Sequence, residues 1–157
     1  MPLSHIEHFL VQTESIEKTR DWYVRVLGLR EGPHPDFKFP VCWLYLGDKD
    51  VIHITEGGAG VSENRKKYVG QESTATRGSG VVDHIAFLAD EPQVFAQRFE
   101  AIGLATRKRY FPQFQLFQML FKDPDGLTIE LNFSGVAADS PWSSGSENYA
   151  EMPRVVD

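Results

Sequence analysis

The chain has 157 residues, 41% of them hydrophobic and 24% charged, which is the balance of a globular protein with one compact domain or two half-size ones. A net charge of −6 leaves no electrostatic footprint for nucleic acid or an anionic membrane. No apolar run is long enough to span a bilayer, and Met1-Pro2-Leu3-Ser4-His5 lacks the regions of a signal peptide. A lone Cys42 excludes an internal disulfide framework and fits a cytoplasmic protein.

Residues 5–12 predict a first strand. Thr13-Glu14-Ser15 is a helix start, and the helix runs to Leu27 with Ile16, Trp22, Tyr23 and Val26 on its core face and Gly28 as its C-cap. Residues 30–40 hold three prolines and read mostly as loop, with His34 solvated between two of them. Val41 to Leu46 is a strand, 47–50 a hairpin turn, and Val51 to Thr55 a further strand. Residues 57–80 are rich in Gly, Ser and charge and read as an exposed linker, with Arg65-Lys66-Lys67 a solvated patch. A second strand is expected over 81–89 and a helix over 94–102, led by Pro92. Strands follow at 105–111 and 115–121. Asp123-Pro124-Asp125-Gly126 is then a tight turn, because Pro124 fixes φ and Gly126 takes the angle a reversal needs. The last strand is 127–133. Residues 135–157 form a C-terminal extension with Trp142, Tyr149 and Met152 spaced along it. It either frays or packs on its own domain or a second subunit.

Comparing the chain with itself gives its main feature. His8 and His84 lie 76 residues apart, His53 and Glu130 lie 77 apart, and Leu27-Gly28-Leu29 answers Ile102-Gly103-Leu104. The chain reads as two copies of one β-α-β-β-β unit, about 5–56 and 81–134, each offering one ligand early and one late. His8, His53, His84 and Glu130 are therefore expected to bind a divalent metal. Imidazole with carboxylate suits Zn, Ni, Mn, Co or Fe rather than Ca. By strand alternation, Leu10, Gln12, Thr55, Ala86, Leu88, Thr128 and Asn132 share the ligands' faces, whereas Glu7 and Asp83 point away. Gln12, Thr55 and Asn132 are candidate substrate contacts, with Tyr110 at the cleft mouth and Glu130 as the proton carrier.

Two motifs carry a resemblance to a known family. One is His8 with Asp21-Trp22-Tyr23 and Val26-Leu27-Gly28-Leu29. The other is Asp83-His84-Ile85-Ala86-Phe87 with Phe121-Lys122-Asp123-Pro124-Asp125-Gly126 and Glu130. Over residues 5–134 the chain resembles the vicinal oxygen chelate superfamily, the group of glyoxalase I, extradiol dioxygenases, methylmalonyl-CoA epimerase, fosfomycin-resistance enzymes and bleomycin-binding proteins. The resemblance implies an α+β fold of two βαβββ modules curling a mixed sheet around a shared metal cleft. It places the family's metal positions on His8, His53, His84 and Glu130. Glyoxalase I typically has Glu where this chain has His53, so glyoxalase activity itself does not carry over. The dioxygenase signature has a His and a Tyr behind its metal ligands where this chain has Gln113 and Leu120. Four ligands on an octahedral ion leave two sites, enough for two adjacent substrate oxygens but not for O₂ as well. The expectation is a redox-neutral lyase or isomerase acting on a small substrate with vicinal oxygens. A dioxygenase and a non-catalytic drug-binding protein stand as alternatives. A homodimer is expected, since the large apolar side chains of the extension need a surface to cover.

Overall fold

Ser15 starts the first helix as its sequence requires. The Ser15 hydroxyl accepts from Lys18 N at 3.3 Å, and Gly28 closes the helix at φ 77°, donating its N–H to Val24 O. This helix, α1 (Ile16–Leu27), buries Thr19, Trp22, Tyr23 and Val26, while Ile16 is only half-buried. The computed structural model describes residues 8–69, 75–78 and 84–148. His5, Glu7, Asp83, Tyr149 and Met152 lie outside them, and so do the expectations placed on them.

The described chain divides into two compact units. In the first, strands β1 (Phe9–Thr13), β2 (Arg30–Gly32), β3 (Val41–Leu46) and β4 (Lys49–Glu56) form a sheet in the order β1-β4-β3-β2. Strand β1 runs parallel to β4, and the other neighbours are antiparallel. Helix α1 packs on β3 and β4, whose Cys42, Leu44, Ile52 and Ile54 are buried. Burial pushes the Cys42 thiol up to about 12, with the nearby Glu31 carboxylate adding to the effect.

The segment expected to be a featureless linker contains a helix, α2 (Glu63–Val69). Ser62 caps it by accepting from Arg65 N at 3.3 Å, and is itself held by Glu56, which accepts from Ser62 N at 3.1 Å. Among the described side chains of α2 the buried residue is Arg65, 1% exposed, and not a hydrophobe, so the stretch shows no apolar periodicity there. The expectation of a solvated Arg65-Lys66-Lys67 patch is therefore corrected at Arg65. Just before α2 the chain presses on β1. Gly57 donates to Thr13 O at 2.8 Å, and a Cβ there would lie 3.1 Å from Gln12 Cβ, closer than a side chain comfortably sits.

The Asp123–Gly126 turn belongs to this first unit. Gly126 takes φ 91°, and Asp125 N donates to Asp123 Oδ1 at 2.9 Å. The two carboxylates are then spent on the unit's interior. Asp125 accepts from Thr13 at 3.1 Å and Thr19 at 2.6 Å, and Asp123 accepts the Tyr23 hydroxyl at 2.9 Å. Burial first, and the Asp123 charge second, raise the Tyr23 pKa above its ordinary value.

The second unit repeats the plan. Strands β5 (His84–Leu88), β6 (Arg107–Phe111), β7 (Leu116–Lys122) and β8 (Thr128–Phe133) lie in the order β5-β8-β7-β6, with β5 parallel to β8. Helix α3 (Pro92–Ala101) begins at its proline. Its Phe95 and Phe99 stack near Phe133 and Phe121, at ring distances of 5.9 and 4.6 Å. The registers agree across the repeat: Leu10 pairs with His53, and Ala86 with Glu130. The fold is α+β, two β-α-β-β-β modules, as the spacing predicts.

The start of the extension packs on the second unit. Helix α4 (Pro141–Ser144) sets Trp142 against Phe117 at 5.7 Å, and β9 (Glu147–Asn148) adds to the sheet beside β6. Trp142 thus finds its surface within the chain, which removes it from the argument for a second subunit. Tyr110, expected at a cleft mouth, is corrected too. It is 1% exposed and donates its hydroxyl to Val136 O at 2.8 Å, pinning the start of this segment.

Candidate functional site

The outer face of the first sheet carries a chemical cluster. Strand β4 points His53 and Thr55 to this face, because Ile52 and Ile54 point to the buried one. His8, just ahead of β1, stacks on the His53 ring at 3.8 Å. Trp43, paired with His53 across β3 and β4, stacks on His53's other side at 3.9 Å and 2°. Asp50 joins them, its Oδ2 lying 2.7 Å from His53 Nε2. This hydrogen bond holds the Asp50 carboxyl below its usual range. His8, Asp50 and His53 offer ligand atoms within 4.8 Å of one another, the one such group of three or more found among the described residues.

Sequence reasoning found His8 and His53 but left Asp50 in a hairpin turn. The signal was present in the spacing: Asp50 stands three residues before His53 on a strand that begins earlier than predicted, at Lys49. The donor set fits a borderline divalent ion. The imidazoles of His8 and His53 suit Zn, Ni, Co, Mn or Fe, and Asp50 stands where a metal-bound histidine characteristically gives its other ring N–H to a carboxylate.

The cluster borders a cavity of about 350 Å³. Phe37, Phe39 and Trp43 form an aromatic wall with Pro35 beside them, and Leu10, Val41 and Thr55 line the sheet side. The loop read as solvated is what supplies this wall. Phe37 lies 5.6 Å from Phe39 and 6.0 Å from Trp43, ring to ring. His34 remains exposed, as expected. Thr55 is buried and donates to Pro40 O at 3.2 Å. Gln12, on the same face, accepts from Arg65 Nη2 at 2.7 Å and donates to Ala75 O at 2.5 Å.

In the second unit His84 and Glu130 are brought together, with His84 Nε2 3.7 Å from Glu130 Oε2. Glu130 is 7% exposed, and its Oε1 accepts from Gln118 at 3.0 Å and Asn132 at 2.9 Å. Asn132, a candidate substrate contact, holds the carboxylate, and Gln118 joins it. Gln118 faces Asn132 across β7 and β8, and no local pattern marks it.

No curated protein sequence matches the chain. Several solved structures share its fold. Lactoylglutathione lyase from Agrobacterium tumefaciens superposes with a TM-score of 0.60 at 16% identity, covering 85% of this chain and 96% of that one. The fosfomycin resistance protein FosX from Listeria monocytogenes gives 0.61 at 18%, covering 84% and 94%. TnmS3, an antibiotic-binding protein from a Streptomyces species, gives 0.59 at 20%, covering 86% and 99%. The sequence profile of the Glyoxalase/Bleomycin resistance protein/Dioxygenase superfamily matches residues 5–131. With that match over most of its length, and with the repeated module already seen in its strands, the chain belongs to this superfamily.

Proposed function

We propose that the protein is a metal-dependent enzyme that acts without net redox change on a small substrate with two adjacent oxygens and an apolar body. The observation that carries the reading is the His8–Asp50–His53 cluster at the edge of an aromatic-walled cavity. The ligands in this reading are His8, His53, His84 and Glu130. When bound, the ion supplies Lewis-acid polarisation of the substrate's vicinal oxygens.

The chain's own residues do the rest. Asp50 fixes the His53 ring through its hydrogen bond, and the His8 and Trp43 rings restrict the imidazole from both sides. Gln118 and Asn132 hold Oε1 of Glu130, which leaves Oε2 to carry the proton from one carbon or oxygen of the substrate to another. Thr55 bounds the cavity as a substrate contact, and Gln12 extends the same face. Phe37, Phe39 and Trp43 exclude water and take the apolar part of the substrate. We place the protein in the cytoplasm as a homodimer. The exposed Leu88, 78% accessible on its strand, supports a covering subunit, and light scattering at tens of micromolar checks it.

The experiment is elemental analysis of protein purified without chelators. It is followed by turnover assays on protein loaded with Zn or Fe(II), with and without oxygen, offering 2-oxo and 2-hydroxy thioesters and catechols. Near-stoichiometric metal and oxygen-independent turnover with Zn are expected. Oxygen uptake matched to catechol ring cleavage, with Fe(II) alone, would assign a dioxygenase instead. A second reading, a metal-free binding protein, is favoured by the aromatic cavity. Tight binding of aromatic ligands by protein that holds no metal would establish it.

A further inference from the structure

Arg65 is the bulkiest of the fully buried side chains, and no ion pair matches its charge among the described residues. Buried arginines are nearly always paired, because a guanidinium taken from water needs a counter-charge and acceptors for its five N–H groups. Here Nη2 donates to the neutral Gln12 Oε1 at 2.7 Å, while Nε and Nη1 are buried without a hydrogen-bond partner. An apolar side chain of the same size would suit that position better if packing were the only requirement. The helix that carries Arg65 is nonetheless fixed, through Ser62 to Glu56 and through Gly57 to β1.

What Arg65 reaches is Gln12, on the sheet face that also carries His53 and Thr55. Leu10, His53 and Trp43 form one row across the strands, and Gln12, Thr55 and Val41 form the next. The rows are one pleat repeat apart, about 6.6 Å. The Arg65–Gln12 pair therefore marks the end of the face whose first row carries His53, and Thr55 and Val41 of the second row line the cavity.

We propose that Arg65 is the receptor for an oxyanion, a carboxylate or phosphate, on the ligand of this cavity. The ligand is then a flat aromatic or unsaturated acid, its ring against Phe37 and Trp43 and its anion on the guanidinium. The proposal rests on the cavity being the ligand site, as above. A carboxylate accepts two parallel N–H bonds from one guanidinium and supplies the missing counter-charge. The guanidinium is closed from solvent in this structure, so binding displaces the Gln12 amide or shifts α2. That helix follows Gly58 and Gly60, both at positive φ.

The test is calorimetric titration of the full chain with benzoate, phenyl phosphate and benzyl alcohol, as purified and again after chelation, so that anion binding to a metal is told apart. The wild type is expected to bind one of the two anions about ten- to a hundredfold tighter than benzyl alcohol, with or without chelator, and the preferred anion names the class. Arg65→Met should lose that margin while binding benzyl alcohol as before. Gln12→Glu, which sets a carboxylate against the guanidinium from within the chain, should lose it too and melt at a higher temperature. Arg65→Lys keeps the charge without the fork and should lose part of the margin, which decides the matter should Arg65→Met not fold. Equal binding of anion and alcohol by the wild type, or a margin that survives Gln12→Glu, overturns the assignment of Arg65 alone. Failure of all three probes to bind overturns it together with the reading of the cavity.

Discussion

Where the first module has His53, the second has Glu130, and the two side chains are held by opposite chemistry. An imidazole is fixed by a carboxylate, Asp50, and clasped between the rings of His8 and Trp43. A carboxylate is fixed by two amides, Gln118 and Asn132. The neighbours differ in the same way. Across the sheet His53 faces Trp43, whereas Glu130 faces Leu120, so the aromatic wall belongs to the first module alone. A duplicated backbone thus keeps the two positions, and the strand beside each decides what else the position does. In the first module it builds a cavity, and in the second it orients an acid.

The largest effect that tests this division is at Glu130. Glu130→Gln keeps an acceptor for Gln118 and Asn132, so the fold should persist, while the charge and the proton carrier are lost. Turnover should fall about a hundredfold or more. His53→Ala should lower metal content yet cost less in rate, because it removes a neutral ligand. Metal analysis and steady-state rates on the two variants side by side measure this. A Glu130→Gln protein as active as the wild type would end the acid's role.

Next is Asp50. If it serves as the orienting partner of His53, Asp50→Asn should weaken metal binding about ten- to a hundredfold, the range typical of carboxylates behind histidine ligands. Competition against a chromophoric chelator reads it. The matching change in the second module, Gln118→Leu, removes a donor from Glu130 and should alter rate more than metal affinity. Equal losses of affinity at both positions would erase the difference between the modules.

The repeat and the strand order were legible because they rest on period-2 alternation and on residue types with few uses in a strand. Helix α1 was legible from Ser15 and Gly28. Three things were not. Helix α2 hid because, among its described side chains, the buried one is an arginine. The aromatic wall hid because Pro35, Phe37 and Phe39 lie in a proline-rich loop with no period. Tyr110 was misplaced because a tyrosine on a strand end reads the same at a cleft as in a core, until Val136 supplies its acceptor. Long-range polar contacts, such as Asp123 with Tyr23, leave no mark on local sequence at all.

That last contact gives a smaller, pH-dependent effect confined to the first unit. The folded Tyr23 pKa is raised above its ordinary value of 10.0. The contribution is therefore fully present below pH 10 and is lost as pH rises beyond it, since the unfolded chain releases a proton that the folded one retains. Melting temperature should fall above about pH 10, and less steeply in Tyr23→Phe. Asp123→Ala, which leaves the buried hydroxyl without its acceptor, should cost about 1–3 kcal/mol at neutral pH. A wild type and a Tyr23→Phe variant with the same alkaline slope would show that Tyr23 titrates freely.

The smallest effect is at the seam between the second unit and its extension. Arg107 donates two hydrogen bonds of 2.7 Å to Glu147, in the bidentate geometry that makes a surface pair measurable. Both side chains are about half exposed, at 54% and 47%, so solvent and salt screen the attraction. A double-mutant cycle with Arg107→Ala and Glu147→Ala should return about 0.2–1 kcal/mol, falling as salt rises. Trp142→Ala should cost more, because it strips an aromatic contact from Phe117 rather than a solvated charge. If the cycle exceeded the Trp142 effect, the extension would be held by its charges. Among the described residues the first module's sheet stops at four strands instead of five, and its outermost strand β2 has only the longer contact of Glu31 with Arg20, at 3.6 Å.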